Sequence, residues 1–218
     1  MRSRKAVHGF IWRFAVAYAL LITPWPGFND AYGRYFRSLG QIVFAKENDR
    51  RIANFERVPQ ELHHSLDSRI ALANRGQIDR NGDGPVRYLE LDTRGVGWIP
   101  TALLVALIVA TPVPWWRRGW ALVPGLLAIH GFILFSVAVY IWNSSTELSL
   151  VTLSPLVKRI AGGLEETLIT QMGASFVAPG LIWILVTLRW RDLRDWQTGL
   201  RTSPMFTGSP LKDPTAEE

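Results

Sequence analysis

Four long apolar segments dominate the pattern of hydrophobic and polar positions along the chain. They extend over about residues 9–25, 96–116, 119–142 and 168–190. Each approaches or meets the roughly twenty residues that an α-helix needs to cross the hydrocarbon core of a bilayer. The pattern therefore predicts a mainly α membrane protein, a four-transmembrane-helix bundle, with a small extracytoplasmic α+β cap between helices 1 and 2.

Tryptophan positions support these boundaries, because amphipathic indole rings favour the membrane–water interface. Eight of the ten tryptophans flank the apolar segments, namely Trp12, Trp25, Trp98, Trp115, Trp116, Trp120, Trp142 and Trp190. The other two, Trp183 and Trp196, lie off this pattern. The interfaces are thus predicted close to the ends of the segments.

Basic residues next to the apolar segments predict their orientation. Residues 1–13 carry four basic side chains and no acidic one, Arg117 and Arg118 separate the second and third segments, and three arginines lie within residues 189–194. If all four segments cross, these groups share one side. We therefore expect a multi-pass protein of the bacterial inner membrane with both termini in the cytoplasm.

The cap is predicted over residues 26–95. Hydrophobic residues recur at steps of three or four from Ile52 to Ile70, which is the spacing of one helix face. The following residues 85–92 have strand character, and the Asn-Gly-Asp-Gly run of residues 81–84 is typical of a turn. The cap is therefore expected to combine one helix with a small β element.

Two more segments flank the fourth apolar one. In residues 143–167, Leu156, Ile160 and Leu164 share a helical face, which predicts an interfacial helix. Residues 191–218 contain three prolines and lack apolar periodicity, so this tail is predicted to be disordered.

Composition excludes several kinds of site and partner. The chain has no cysteine, so it has no disulfide, thiolate nucleophile or cysteine metal site. Its net charge of +6 comes mainly from the membrane-flanking segments, because residues 25–97 hold eleven basic and ten acidic side chains. This distribution favours anionic lipid head groups and argues against nucleic acid.

Residues 79–90 match the twelve-residue calcium loop, with oxygen ligands at positions one, three and five, glycine at six and glutamate at twelve. The predicted ligands are Asp79, Asn81, Asp83 and Glu90. Arg87 departs from the pattern, since it stands where a water-bridging acceptor usually lies. The alternative is a hairpin turn with solvated acids, because Asn-Gly and Asp-Gly favour such turns. Calcium is thus the one cofactor the sequence suggests, as a structural ion.

Three histidines are candidate chemical groups. His63 and Asp67, four residues apart and next to His64, can act as metal ligands or as a base with its orienting acid, although a charged helix also produces such pairs without function. His130 lies near the middle of the third apolar segment, where an ionisable residue marks a candidate functional position. We favour a packing role for it, because no Asp, Glu or Lys lies at the centre of any apolar segment.

Residues 89–100 join the cap to the second apolar segment without a spacer, and Asp92 and Arg94 can pair there with each other or with the cap. This junction, with the turn at residues 114–118, resembles small bacterial membrane proteins that accompany exosortases, which process C-terminal sorting signals. The resemblance covers about residues 88–120. It implies an accessory protein rather than the transpeptidase, because exosortases use a catalytic cysteine that this chain lacks.

These features favour a non-enzymatic inner-membrane accessory or assembly protein that binds the lipid bilayer and a membrane or envelope protein partner. The alternative is an envelope enzyme or transporter acting on a lipid or lipid-linked substrate. In that case His63, His64 and the arginine-rich cap would lie together at the membrane interface.

The calcium loop makes a direct prediction. Calcium should raise the melting temperature of the cap, and changing both Asp79 and Asp83 to alanine should abolish that rise, because a ligand stabilises the state that binds it. Thermal unfolding with calcium and with a chelator measures the difference. An unchanged melting temperature in the unsubstituted protein would contradict the loop.

Overall fold

The computed structural model describes residues 2–45, 51–58, 66–78, 84–147, 159, 162–163 and 173–187. The main helices are α1 (Arg2–Ile22), α2 (Phe28–Phe44), α3 (Ile99–Ala110), α4 (Trp115–Glu147) and α5 (Gly173–Thr187). The strands are β1 (Arg51–Arg57), β2 (Ser68–Asn74) and β3 (Val86–Leu91). A 3-10 turn (Arg75–Gln77) follows β2, and a π-helical turn (Arg94–Trp98) leads into α3.

One helix of the described residues can cross a membrane by its length and composition. It is α4, whose apolar part Trp115–Ser145 has 31 residues and contains an 18-residue stretch with a mean hydropathy of 2.2. The apolar stretches Val7–Ile22, Arg94–Ala110 and Phe176–Thr187 have only 10–17 residues each. The predicted four-transmembrane-helix bundle is therefore wrong, and the helix lengths do not support a multi-pass arrangement.

Helix breakers explain why the apolar segments of the sequence overstate the helices. Helix α1 ends at Ile22, just before Pro24 and Pro26, and proline disfavours helical backbone in the residue before it. Helix α3 ends at Ala110, before the Thr-Pro-Val-Pro run of residues 111–114. An apolar run can continue through such residues although a helix cannot.

Helix α3 lies at the centre of the helices and contacts α1, α4 and α5. Eight of its twelve residues are buried, including Ala102 and Ala106, and small side chains let neighbouring helices approach closely. Trp183, which lies off the interfacial pattern, has a packing role here. Its Nε1 donates to Thr111 Oγ1 over 2.8 Å, and its ring centroid lies 6.0 Å from that of Phe10.

The cap contains an antiparallel sheet in the order β1-β2-β3. Phe55 is opposite Ile70, and Ile70 is opposite Leu89, so three large side chains cross the sheet in one row. All three are buried. Strand β3 confirms the strand expected at residues 85–92.

The helix predicted from Ile52 to Ile70 is wrong at both of its ends, because these residues lie in β1 and β2. Residues 59–65 are outside the described residues. Burial here alternates with a period of two, as at Ala53 and Phe55 and again at Ile70 and Leu72. The helical spacing of three or four residues holds only when the larger hydrophobic residues are counted and Ala53 is left out.

Helix α2, which the sequence reading did not identify, packs on β1 through a buried face of Gly33, Phe36 and Gly40. At the edge of the sheet, Gln41 Oε1 accepts a hydrogen bond from the Phe55 backbone N–H over 3.0 Å. Helix α2 thereby provides a hydrogen-bond acceptor for the backbone of β1, an edge strand that would otherwise be open to pairing with another strand.

The hydrophobic core continues from the sheet into the second half of α4. Buried residues of both parts belong to one cluster, including Phe36 and Leu89 from the cap and Ile133, Val137 and Ile141 from α4. The predicted interfacial helix of residues 143–167 falls largely outside the described residues, and the predicted disordered tail falls wholly outside them.

Gly40 tests the contact between α2 and the sheet. A Cβ at this position would overlap the ring of buried Phe55, so Gly40→Ala should lower the free energy of unfolding by about 1–3 kcal/mol. The better helix propensity of alanine offsets up to about 1 kcal/mol of this loss. Gly131→Ala is the matched control, because a Cβ there has no neighbour within 4 Å. Thermal unfolding in detergent should separate the two variants, and equal melting temperatures would contradict the close packing.

Candidate functional site

The site of interest is the junction between the helices and the cap, where α1 ends. The last carbonyl groups of an α-helix have no partner within the helix and need other donors. Thr23 Oγ1 donates to Ala19 O over 2.6 Å, and Trp25 Nε1 donates to Leu20 O over 3.0 Å. Two of these carbonyls are thus satisfied by residues that directly follow the helix.

The next two carbonyls bind side chains of the π-helical turn, more than seventy positions further along the chain. Trp98 Nε1 donates to Leu21 O over 2.9 Å, and Arg94 Nη2 donates to Ile22 O over 2.6 Å. A cation at the C-terminal end of a helix is also favoured by the helix dipole. These two bonds hold the start of α3 against the end of α1.

Asp92 fixes the backbone of the same turn. Its Oδ1 accepts from the Arg94 backbone N–H over 3.0 Å, and its carbonyl accepts from the Val96 N–H over 3.0 Å. The predicted pair of Asp92 and Arg94 is therefore a carboxylate–backbone contact, while the Arg94 guanidinium binds α1.

Aromatic packing encloses the turn. A Cβ at Gly97 would lie 2.5 Å from the Tyr32 hydroxyl oxygen, so glycine is required for this approach. The Tyr32 ring lies 5.5 Å from that of Trp98, which in turn lies 4.5 Å from that of Phe28. Burial raises the pKa of Tyr32, and a hydrogen bond with Thr101 opposes this rise. The phenol therefore stays neutral throughout the physiological range.

Asp67 connects the sheet to the turn. Its Oδ1 accepts from the Thr93 N–H over 2.9 Å, and its Oδ2 accepts from the Thr93 hydroxyl. Arg37 Nη1 donates to Ser68 Oγ over 2.8 Å and to Asp67 O over 3.2 Å. Thr93 and Ser68 are each 1% exposed, so these polar groups depend on one another for partners. A Cβ at Gly33 would lie 2.8 Å from Asp67 Oδ2, which explains the glycine there.

Asp67 was predicted from its spacing to His63, yet both of its carboxylate oxygens bind Thr93. The sequence reading missed Arg37, Ser68 and Thr93, because their contacts join residues about thirty positions apart and leave no local pattern. His63 and His64 lie outside the described residues.

The predicted calcium ligands fall partly outside the described residues. Asp79, Asn81 and Asp83 are among those not described, and Glu90 lies in β3 opposite Arg69. A Cβ at Gly84 would lie 3.0 Å from the Ile78 Cα, so Ile78 and Gly84 lie close together. Among the residues that the structure describes, no group of three acids or histidines could hold a metal, and the calcium loop stays a prediction.

His130 lies where α4 passes α2. Its Nδ1 is 2.8 Å from Leu126 O, and because a carbonyl oxygen only accepts, Nδ1 is the donor in this contact. The ring meets that of Tyr35 edge-on at 5.9 Å.

A narrow apolar groove of about 10 Å³ lies between α2 and α4 and is called the α2–α4 groove below. Its lining comprises Tyr32, Tyr35, Phe36, Leu39, Gly40, Phe44, Phe55, His130, Ile133, Leu134 and Val137. On its α2 side, Tyr35 is 48% exposed and Ile42 is 74% exposed. Such side chains are available for contact with another apolar surface.

Comparison of the chain with protein-family models, with curated proteins and with solved structures finds no match. Functional inference therefore depends on the junction, the groove and the charged groups of the cap.

Substitutions of Thr93 test how much the junction contributes to the stability of the cap. Thr93→Val keeps the side-chain shape but removes the hydroxyl that binds Asp67, and should cost about 1.5–3 kcal/mol of unfolding free energy, as for hydrogen bonds to charged groups. Thr93→Ser keeps the hydroxyl and should cost less than the valine variant. Thermal unfolding of both in detergent makes the comparison; a valine variant as stable as the unsubstituted protein would contradict the contribution of the hydroxyl bond to Asp67.

Proposed function

We propose that this protein is a membrane-anchored accessory or assembly protein, held by α4 in a bacterial inner membrane, that binds a helix of another membrane or envelope protein on the exposed apolar face of α2 beside the α2–α4 groove. The proposal rests on the exposed side chains of Tyr35 and Ile42 on that face. The proposed role is non-enzymatic.

The membrane anchor is supported by apolar surface outside the groove. Val123 and Leu127 of α4 are 61% and 72% exposed, and Ile11 of α1 and Leu185 of α5 are similarly open. Soluble monomers rarely expose a large continuous apolar surface, whereas lipid hydrocarbon accommodates one. The shorter helices are thus expected to contact lipid beside α4 without each crossing the bilayer.

The charges at the start of α4 support an orientation. Arg117 and Arg118 lie in its first turn between exposed Trp116 and Trp120, and Trp142 lies near its other end. Arginines next to a membrane-crossing helix favour the cytoplasmic side, and tryptophans favour both interfaces. We therefore place the beginning of α4 in the cytoplasm.

The apolar face of α2 suits a helix as its partner. Tyr35 and Ile42 are seven residues apart on α2, so these two exposed side chains lie on one helix face. An exposed apolar stripe on a helix can receive the apolar face of another helix. Full burial of each large side chain contributes about 1.5–3 kcal/mol.

The junction supports the same role through rigidity. Arg94 and Trp98 bind the end of α1, while Asp67 binds Thr93, so the cap is fixed and is not free on a tether. A preorganised surface loses less conformational entropy when its partner binds. The resemblance of residues 88–120 to exosortase-associated proteins makes an exosortase-type enzyme the first partner class to test.

Co-purification tests the proposal. The protein, extracted in mild detergent from its native membrane, should retain a stoichiometric membrane or envelope protein that mass spectrometry identifies. Changing Tyr35 and Ile42 to serine should remove most of that partner, because it removes the exposed apolar stripe of α2. Changing Val7 and Ile11 of α1 to serine is the matched control, since these residues are 52% and 56% exposed away from the groove.

Retention of the partner by the α1 variant and its loss from the α2 variant is the expected result. An eluate that contains this chain alone, or equal loss from both variants, would contradict the accessory role at the groove. Lipid in the eluate in place of protein would identify the groove as an acyl-chain site and would equally contradict it.

A further inference from the structure

A second surface of the cap carries charge instead of apolar groups. Three arginines, Arg34, Arg37 and Arg57, line a solvent-open cleft of about 230 Å³ together with one acid, Asp30. Asp30, Arg34 and Arg37 follow one another at steps of four and three and share a face of α2. Arg57 is the last residue of β1.

The carboxylates near the cleft do not neutralise it. Arg57 Nη2 binds Asp30 Oδ1 at 3.1 Å, and Arg34 Nε donates to the Asp30 backbone carbonyl at 3.3 Å. Among the described residues, three guanidinium groups and the two carboxylates of Asp30 and Asp67 leave a formal excess of one positive charge. Within the described residues, the two terminal nitrogens of Arg34 and the remaining N–H groups of Arg57 have no protein partner.

Arg37 is held in place at the back of the cleft by its bonds to Ser68 Oγ and to the Asp67 carbonyl. Desolvation by burial lowers the pKa of Arg37, and the positive charges of Arg57 and Arg34 lower it further, against the opposing effects of Asp67 and Asp30. A guanidinium beside like charges in a partly buried position is stabilised by an anion.

We propose that this arginine cleft binds a phosphate-bearing anion. The planar guanidinium group presents paired N–H donors whose spacing matches two phosphate oxygens, and charge-assisted bonds of this kind are among the strongest in proteins. Arg34 and Arg57 supply free donors from two different elements, and Arg37 supplies a fixed positive charge between them. The anion can be a phospholipid head group or a soluble phosphate, since both present the same oxygens. The cleft does not depend on a partner beside the α2–α4 groove.

The test uses the full chain in nanodiscs of phosphatidylcholine. In one arm inorganic phosphate is titrated at fixed ionic strength, and in the other the discs contain phosphatidylglycerol. Binding is measured as a rise in melting temperature, because a ligand that binds the folded state stabilises it. A response to the lipid alone assigns a head group, and a response to inorganic phosphate alone assigns a soluble anion. No response in either arm overturns the proposal.

Variants that remove a positive or a negative charge from the cleft are expected to change binding in opposite directions. Arg34→Gln and Arg57→Gln should each weaken binding about tenfold or more, since each removes charge-assisted bonds. Asp30→Asn should strengthen binding, because it removes the one acid of the cleft. Arg75→Gln is the matched control, as it makes the same charge change at an exposed position in the turn after β2.

Arg37 is left unchanged, because its bonds to Ser68 and Asp67 also support the fold. The melting temperature of each variant without ligand checks its folding, and the Arg57–Asp30 pair is exposed enough that its loss should matter little there. Equal loss of binding in Arg34→Gln and Arg75→Gln would show general attraction to a basic protein and would overturn the proposal, as would weaker binding by Asp30→Asn.

Discussion

The carbonyl groups at the end of α1 require hydrogen-bond donors, and the arrangement of the junction follows from that requirement. Unpaired carbonyls at a helix end that packs against protein would cost about 1–3 kcal/mol each. The chain meets the need with Arg94 and Trp98, which lie in the turn just before α3. Because β3 ends only three residues before Arg94, the same two bonds also fix the position of this last strand of the sheet.

Helix α4 gives the molecule its second constraint. Its 33 residues extend about 50 Å at 1.5 Å per residue, which is more than the roughly 30 Å hydrocarbon core of a bilayer. Its first half packs with α3, as where Gly125 meets Leu104 and Ile108, and its second half contributes Ile133 and Val137 to the core shared with the cap. One continuous helix thus belongs to both parts, so the cap cannot shift without disturbing the core around α4.

Local sequence signals predicted some elements and missed others for physical reasons. Strand β3 was predictable because the Asn-Gly-Asp-Gly turn precedes a short run with strand character. Helix lengths were overestimated because hydropathy does not register where proline ends a helix. Helix α2 was missed although Phe28, Tyr32 and Phe36 recur at steps of four, since Gly33 and Gly40 lower its helix propensity.

The candidate site also contains residues that the sequence predicted and residues that it did not. Asp92 and Arg94 were predicted as junction residues from their position between a strand and an apolar segment. Their actual partners, and the bond between Asp67 and Thr93, come from the packing of distant segments and have no local signature. The glycines of α2 were a usable signal that was not read, because Gly33 and Gly40 share a helix face and mark where another element approaches closely.

Helix α2 explains how one small cap can carry two different surfaces. At 3.6 residues per turn, its buried face with Gly33 and Phe36, its charged face with Arg34, and its apolar face with Tyr35 and Ile42 point about a third of a turn apart. The buried face fixes the helix on the sheet, which leaves the other two faces rigid and separate. A helix bound at the apolar face and an anion bound at the charged face would therefore not compete for the same atoms, yet each would gain from the single set of contacts that holds α2 in place.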